Sequence, residues 1–389
     1  MLYVLLTYLC WPLLRASPRP RHTAGGQARV PASPRRFLVV QTAKIGDLVY
    51  ATPVWRAIKS ADPGAFVALL AHPAVAPLVA HDRSLDAVHT VDAAGLRGLA
   101  GKRRLARLVR AGRYDAALSL TPALGPTLAL LWGQVPRVVV LVPDAAGATY
   151  RMLARLAHRG AHRRGEPLSG AYCRMLAAAG VAGDMRARVL FPAPEAEGRV
   201  RDFLDARGVP PGAALVGIAP ATGNPVKQWL PDRVAALADR IAAQPAARVV
   251  LIGSAADRDL MAAVRARMVA PPLDATAVFS LEDLPALIGR LTLLVAGDSG
   301  PLHIAEAMGV AAVVIGGPAD LRERDLRTEH ALVQPDLPCV PCVSAFAAPY
   351  ACPLGHHRCI TETEVDAVWE AARAMLDRLA PAAAVGAAS

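Results

Sequence analysis

Aromatic side chains are scarce in this chain, at 5% of 389 residues, and no nucleic-acid-binding motif accompanies them, so no nucleic-acid partner is expected. Cysteine is also scarce: six in a chain of this length are too few for a disulfide scaffold. Charged residues make up only 19% against 54% apolar, which excludes a disordered tail protein. The 33 prolines and 30 glycines follow no collagen-like period. Lysine is almost missing; Lys44, Lys59, Lys102 and Lys227 are the only ones, and every other cation is arginine. Where lysine persists against such a bias, a site can require a compact ammonium that a guanidinium does not replace.

The chain has the length for two domains or three, at about 150 residues each, and a formal charge of +11 from 43 basic and 32 acidic residues. Residues 1–14 are nearly all apolar, and Arg15, Arg19, Arg21, Arg29, Arg35 and Arg36 follow before the first acid, Asp47. The apolar run falls short of the roughly 20 residues that span a bilayer. Its charges come after it, the reverse of a signal peptide. Three readings stay open for 1–36: an export signal, a short anchor lying in a membrane interface ahead of a polybasic stretch, or an unstructured extension from a misassigned start. The Pro-rich stretch 17–34 reads as a linker in each case.

From Phe37 onward the pattern alternates between strand and helix. Strands are expected at 37–40, 65–70, 87–91, 116–120 and 138–142, and a helix at 52–61 with Pro53 in its first turn. A linker is expected at 185–198. Strands resume at 214–219, 248–252, 275–279, 291–296 and 311–315, with helices at 232–242, 257–268, 284–290 and 301–308. A last amphipathic helix is expected at 364–379, ahead of a frayed Ala-rich end. The expected fold class is α/β, with two doubly wound domains at 37–190 and 191–361 and a helix and tail at 362–389. Two such domains would bind a ligand at the carboxyl ends of their strands.

Three strand-to-helix turns carry chemistry. The first, Gln41-Thr42-Ala43-Lys44-Ile45-Gly46-Asp47, lacks the Gly-x-Gly-x-x-Gly of a dinucleotide site, which counts against hydride transfer. Asp47 suits either helix capping or a general base, and the sequence does not choose between them. The second turn, Pro220 to Trp229, offers Thr222, Gly223, Asn224 and Lys227, hydroxyl and amide donors with one point charge, as a phosphate would need. It is not a Walker A loop, and a polar turn with a surface lysine is the plainer alternative. The third, Asp298-Ser299-Gly300-Pro301-Leu302-His303, starts a helix whose free amides make an anion site, with His303 within reach of the same ligand. Capping explains Asp298 and Ser299, yet not Gly300, which weakens a helix unless close backbone approach is wanted.

Taken in order, Lys44-Ile45-Gly46-Asp47, Thr222, Lys227-Gln228-Trp229 and Asp298-Ser299-Gly300-Pro301-Leu302-His303 resemble the bacterial lipopolysaccharide heptosyltransferases, glycosyltransferase family 9, from about residue 37 to 381. The resemblance implies a GT-B fold, two Rossmann-like domains facing each other across a cleft, with the acceptor on the first and the sugar nucleotide on the second. It implies an inverting transferase that moves heptose from ADP-L-glycero-D-manno-heptose to a phosphorylated lipid or oligosaccharide of the lipopolysaccharide core. Asp47 would be the base, and Thr222, Lys227, Asp298, Ser299, Gly300 and His303 would bind the donor. Lys44 and Gly46 are further candidates, and Asp257 could serve as a ribose-binding carboxylate. Residues 1–36 lie outside the resemblance. Alternatives are a GT-B transferase using another sugar nucleotide, and a non-catalytic homologue that binds one.

No cofactor is required by this reading, a monomer is expected, and the cytoplasmic face of the inner membrane is the expected location. Two acid-free basic runs favour an anionic membrane or lipid partner: Arg97, Lys102, Arg103, Arg104, Arg107, Arg110 and Arg113, then Arg151, Arg155, Arg159, Arg163 and Arg164. Solvated helix faces would explain any one of these arginines. Cys339, Cys342, Cys352 and Cys359, with His356 and His357 between them, could hold a structural zinc, could pair by oxidation, or could be plain loop thiols. Only the first pair has zinc-knuckle spacing, and Cys10 and Cys173 look incidental.

Overall fold

Runs such as Phe37-Leu38-Val39-Val40, apolar on both sides of the pleat, suit strands buried on both faces, and such strands are typical of parallel sheets. In a computed structural model, which describes residues 1–16, 35–183, 185 and 187–379, they become the centres of two six-stranded, wholly parallel sheets. The chain divides into two units, Met1–Ala76 with Asp82–Arg186, and Pro77–His81 with Ala187–Ser389.

The first unit holds β1 (Arg36–Gln41), β2 (Phe66–Ala71), β3 (Ala87–Thr90), β4 (Ala116–Ser119), β5 (Arg137–Pro143) and β6 (His158–His162), in the order β3-β2-β1-β4-β5-β6. Its helices are α1 (Leu2–Ala16), α2 (Ile45–Ala61), α3 (Gly98–Ala111), α4 (Leu124–Trp132), α5 (Ala148–Ala154) and α6 (Leu168–Ala178). Leu38, Val40, Leu70, Val138 and Val140 of the sheet pack against Leu105, Val109, Leu128, Leu131 and Leu153 of α3, α4 and α5. Val4 of α1 joins the same core.

The second unit begins with α7 (Pro194–Asp205) and then alternates: β7 (Ala214–Ala219), α8 (Pro231–Ala242), β8 (Ala247–Leu251), α9 (Arg258–Arg265) and β9 (Leu273–Asp274). It continues with α10 (Leu284–Gly289), β10 (Leu293–Gly297), α11 (Gly300–Met308), β11 (Ala312–Ile315), β12 (His330–Val333), α12 (Arg358–Thr361) and α13 (Val365–Leu379). The sheet order is β12-β11-β10-β7-β8-β9. Its core is built from Val216, Ile218, Leu293, Val295 and Val313 with Leu237, Ile241, Val368 and Met375 from helices.

Both orders reverse once, between β1 and β4 in the first sheet and between β7 and β10 in the second. At such a reversal the connections leave in opposite directions and open a crevice beyond the carboxyl ends of the two strands. Registers of Val40 with Ser119, and of Ala219 with Ala296, bring the following loops out level with each other.

Several expectations need correction. The helix expected at 52–61 starts seven residues earlier, at Ile45, and Pro53 lies inside it. The strand expected at 275–279 is absent. Pairing stops at Leu273–Asp274, and Ala277 takes a left-handed φ of 58° that a strand does not tolerate. The helix expected at 257–268 is a short 3-10 turn, Ala255–Asp257, followed by α9, which ends at Arg265. The linker expected at 185–198 contains the start of α7. Strands β6 and β12 were not expected, since His158–His162 and His330–Val333 sit at sheet edges and carry polar residues. Residues 2–16 form a helix, so an unstructured lead does not hold for them. The linker expected at 17–34 and the Ala-rich end beyond 379 lie outside the described residues. No helix among the described residues is long and apolar enough to cross a membrane.

Candidate functional site

In the first unit the strand-order reversal carries the Gly46-Asp47 turn. Gln41, at the end of β1, is buried and organises the loop above it. Its side-chain oxygen accepts hydrogen bonds from the Ala43 amide (3.3 Å) and the Thr121 hydroxyl, while its Nε2 donates to the Tyr172 hydroxyl at 3.4 Å. The Thr42 amide donates to Thr121 Oγ1 at 3.0 Å, tying the β1 and β4 loops together. Below them Tyr50 of α2 meets Tyr172 of α6 edge-on at 5.8 Å.

Helix α2 is N-capped by Lys44, which is exposed and gives no side-chain cap. Asp47 sits in the first turn, half-buried, and among the described residues no hydrogen bond or ion pair engages its carboxylate. The sequence left capping and base chemistry open for this residue. Among the described residues the hydrogen-bonding part of capping is not made.

The other motifs converge at the second reversal. The Asp298 carboxylate is buried at the end of β10 and binds Lys227, Arg324 and His303. Lys227 Nζ lies 2.7 Å from Asp298 Oδ2 and donates to the Asp298 carbonyl at 3.2 Å. Arg324 Nε is 3.3 Å from Oδ1, and His303 Nε2 is 3.4 Å from the same oxygen. Burial works against ionising Asp298, but Arg324, His303 and Lys227 outweigh it and hold the carboxyl well below the usual carboxylate range. Burial also pulls the His303 imidazole below its ordinary value, only partly opposed by Asp298. Two cations against one carboxylate and a neutral imidazole leave one positive charge in the cluster.

Thr222 and Gly297 close the arrangement: a side chain on Gly297 would come within 3.4 Å of Thr222 Cγ2 and 3.6 Å of the Lys227 carbonyl. The Thr222 hydroxyl donates to the Asn224 carbonyl at 2.7 Å, leaving its lone pairs to accept. Ser299, the N-cap of α11, is extended, and its buried Oγ makes no hydrogen bond, so the first amides of the helix, including that of Gly300, are not capped by it. Among the described residues His303 Nδ1 is likewise buried without a partner. Uncapped amides, an unengaged hydroxyl and a net positive cluster together make a place for an anion.

Sequence reasoning missed what holds these groups. Arg324 lies 26 residues beyond Asp298 in a 3-10 turn, Leu321–Arg324, with no motif around it. Arg188 fixes that turn by donating to the carbonyls of Arg324 (2.7 Å) and Asp325 (3.1 Å), and it pairs with buried Glu306 of α11 at 2.9 Å. Segment 339–359 props the other loop: His357 Nε2 contacts the Val226 carbonyl at 2.7 Å, and Asn224 Nδ2 donates to Pro349 O at 2.9 Å.

Among the described residues no group of three or more His, Cys, Asp or Glu side chains is placed to hold a metal ion. All six cysteines are free thiols. The Cys359 thiol is pushed up to about 11 by burial and by the neighbouring Cys342, Cys352 and Cys339. Asp257 accepts from the Ser254 amide (2.8 Å) and hydroxyl (2.6 Å), both at Oδ2.

A model of glycosyltransferase family 9 (heptosyltransferase) matches residues 102–345. Lipopolysaccharide heptosyltransferase 2 of Salmonella typhimurium is 25% identical over 299 residues, 73% of this chain and 83% of that protein. Lipooligosaccharide heptosyltransferase 2 of Campylobacter jejuni is 35% identical over a shorter stretch of 99 residues, which spans 25% of this chain and 30% of that protein. Among solved structures, a family 9 glycosyl transferase from Veillonella parvula superposes with a TM-score of 0.76 at 19% identity, covering 90% of this chain and 99% of that one. The E. coli ADP-heptose LPS heptosyltransferase II superposes at 0.69 with 17% identity, covering 88% and 99%. The two parallel sheets thus form a fold like that of the GT-B heptosyltransferase structures.

Asp298→Asn should cost about 3–5 kcal/mol of stability, because it leaves Lys227 and Arg324 buried together without a counter-charge. Thermal unfolding beside Asp366→Asn, a change at an exposed pair, measures this; equal midpoints would mean that the cluster contributes nothing. His303 should remain neutral at pH 6.5. The unfolded chain takes up a proton there near about 6.5 and the native chain does not. Its contribution to stability is therefore full above that pH and is lost as pH falls from there toward the depressed folded value. An NMR titration showing a His303 imidazolium at pH 6.5 would contradict this.

Proposed function

The chain belongs to glycosyltransferase family 9, and from that membership we propose that it transfers heptose from ADP-L-glycero-D-manno-heptose to a lipopolysaccharide core acceptor with inversion at the anomeric carbon. The observation that carries this reading is the unengaged Asp47 carboxylate at the strand-order reversal of the first unit. The anion-accepting cluster at the matching reversal of the second unit supports it.

In the proposed reaction an acceptor hydroxyl attacks the anomeric carbon of the donor while Asp47 takes its proton. The bond from that carbon to the diphosphate oxygen breaks, and ADP leaves with the electron pair. A general base of this kind contributes roughly 10²- to 10⁴-fold. Negative charge grows on the leaving diphosphate, and the net positive cluster around Lys227 and the Ser299-Gly300 amides are the groups that would meet it, joined by Thr222 only if its hydroxyl turns from the Asn224 carbonyl. Donors fixed before the reaction are commonly the largest catalytic contribution, about 3–4 kcal/mol for one well-placed group. Asp298 and His303 act through Lys227 in this account: the carboxylate fixes the ammonium, and the imidazole fixes the carboxylate. In this account these donors neutralise the phosphates and no step is assigned to a metal.

Purified protein offered ADP-, UDP- and GDP-sugars with Kdo-lipid A acceptors should release ADP from ADP-heptose, and only when acceptor is present. Release from a different sugar nucleotide alone would move the chain to another surface polysaccharide. Donor binding without any release would favour a non-catalytic homologue. Asp47→Asn is expected to keep donor affinity while turnover falls by about 10²-fold or more. Unchanged turnover would remove Asp47 from the role of base.

A further inference from the structure

Helix α1 is apolar on both sides, and the first unit covers only one of them. Val4 and Thr7 are buried, and Tyr3, Tyr8 and Trp11 pack beside them. The attachment is specific: Trp132 of α4 donates its indole N–H to Thr7 Oγ1 at 2.9 Å, and the Tyr8 hydroxyl donates to the Met152 carbonyl of α5. The Tyr3 ring stands edge-on to Trp132 at 6.5 Å, with the Lys102 ammonium of α3 at 4.7 Å from its centroid. On the far side Leu2, Leu5, Leu6 and Leu9 form one stripe at helical spacing, exposed from 43% at Leu6 to 76% at Leu9. A helix fixed to its own unit on one side and leaving four leucines to water on the other marks an interaction surface.

The charges around the stripe identify its occupant. Helices α1, α3, α4 and α5 contain no Asp or Glu. Helix α3 displays Arg103, Arg104, Arg107 and Arg110, and the α5 side displays Arg151 and Arg155, all exposed. Among the described residues none of these six forms an ion pair with a carboxylate; Arg104, Arg110 and Arg151 reach only backbone carbonyls. Two of them stand beside the residues that hold α1: Arg110 binds the carbonyl of Trp132, whose ring meets Tyr3 and Thr7, and Arg151 precedes Met152, which holds Tyr8. An apolar stripe with uncompensated cations nearby is complementary to the boundary of anionic headgroups and acyl chains. A 15-residue helix spans about 22 Å, too short to cross the hydrocarbon and suited to lying in its plane.

We propose that this face of the first unit is a docking surface for an anionic phospholipid bilayer, with α1 lying in the interface, the Leu2, Leu5, Leu6 and Leu9 stripe in the acyl boundary, and the arginines of α3 and α5 on the headgroups. The proposal goes beyond the transferase reading and holds whichever sugar is carried. Its test is flotation of the full chain with vesicles of phosphatidylethanolamine and phosphatidylglycerol, beside vesicles of phosphatidylcholine alone. The chain should float with the first, and binding should weaken as salt rises. Leu5→Ser with Leu9→Ser, both at exposed positions, should reduce that binding about 10-fold or more at an unchanged melting temperature. Arg103→Gln with Arg107→Gln should reduce it separately and flatten the salt dependence. Equal binding to neutral and anionic vesicles, no binding to either, or full binding by the leucine variant would each overturn the proposal. So would a wild-type dimer that the leucine substitutions convert to monomer, since the stripe would then belong to a second copy.

Discussion

A single buried carboxylate organises the loops at the carboxyl ends of the central strands in the second unit. Asp298 stands where β10 gives way to α11, and it is tolerable there only because Lys227 and Arg324 surround it and His303 supports it. The three partners come from three segments: the loop after β7, the turn after β11, and α11 itself. The carboxylate is thus the knot that holds them together. Strand order makes the knot reachable, since β7 and β10 are neighbours with Ala219 opposite Ala296. The lysine is suited to its place. A compact ammonium contacts both the carboxylate and the carbonyl of Asp298, whereas a planar guanidinium would spread its donors in a fork. In an arginine-biased chain with four lysines, this one has a geometric reason to persist.

The first unit repeats the strand order and carries Lys44 and Asp47 at its reversal. There the loop is held by neutral groups, Gln41, Thr121 and Tyr172, and among the described residues no hydrogen bond or ion pair engages Asp47. In the proposed reaction one topology would support two chemistries, distinguished by a few side chains at the carboxyl ends of the central strands. This is why the fold alone names no reaction and the site residues carry the argument.

Central strands were legible because burial on both faces writes them as unbroken apolar runs; the run 214–219 coincides with β7. Of the edge strands, β3 was legible at 87–91, but β6 and β12 were not, because they face solvent and their histidines and arginine break the pattern. The run 275–279 reads apolar for another reason: Ala275 packs in the core while its neighbours turn away from the sheet. Pro53 misled for a related reason. Proline favours the first turn of a helix, and here Asp47 already opens a helix that then accommodates the ring. In the site, Lys227, Asp298 and His303 were legible as motif residues. Arg324 and Arg188 were not, because their roles depend on tertiary approach across tens of residues.

Arginine bias explains why the cations of α3 and α5 are arginines, because exchanging lysine for arginine preserves charge. It does not explain the missing acids. At the average acidic content of the chain, helices of the combined length of α1, α3, α4 and α5 would hold about four carboxylates, and they hold none. A compositional drift acts on the whole sequence and would not empty one helical layer while leaving acids in α7, α8 and α9. These four helices contribute to one hydrophobic cluster. The same four include α1, whose leucine stripe the first unit leaves uncovered. Two independent departures from an ordinary surface, one in charge and one in polarity, therefore coincide on one layer.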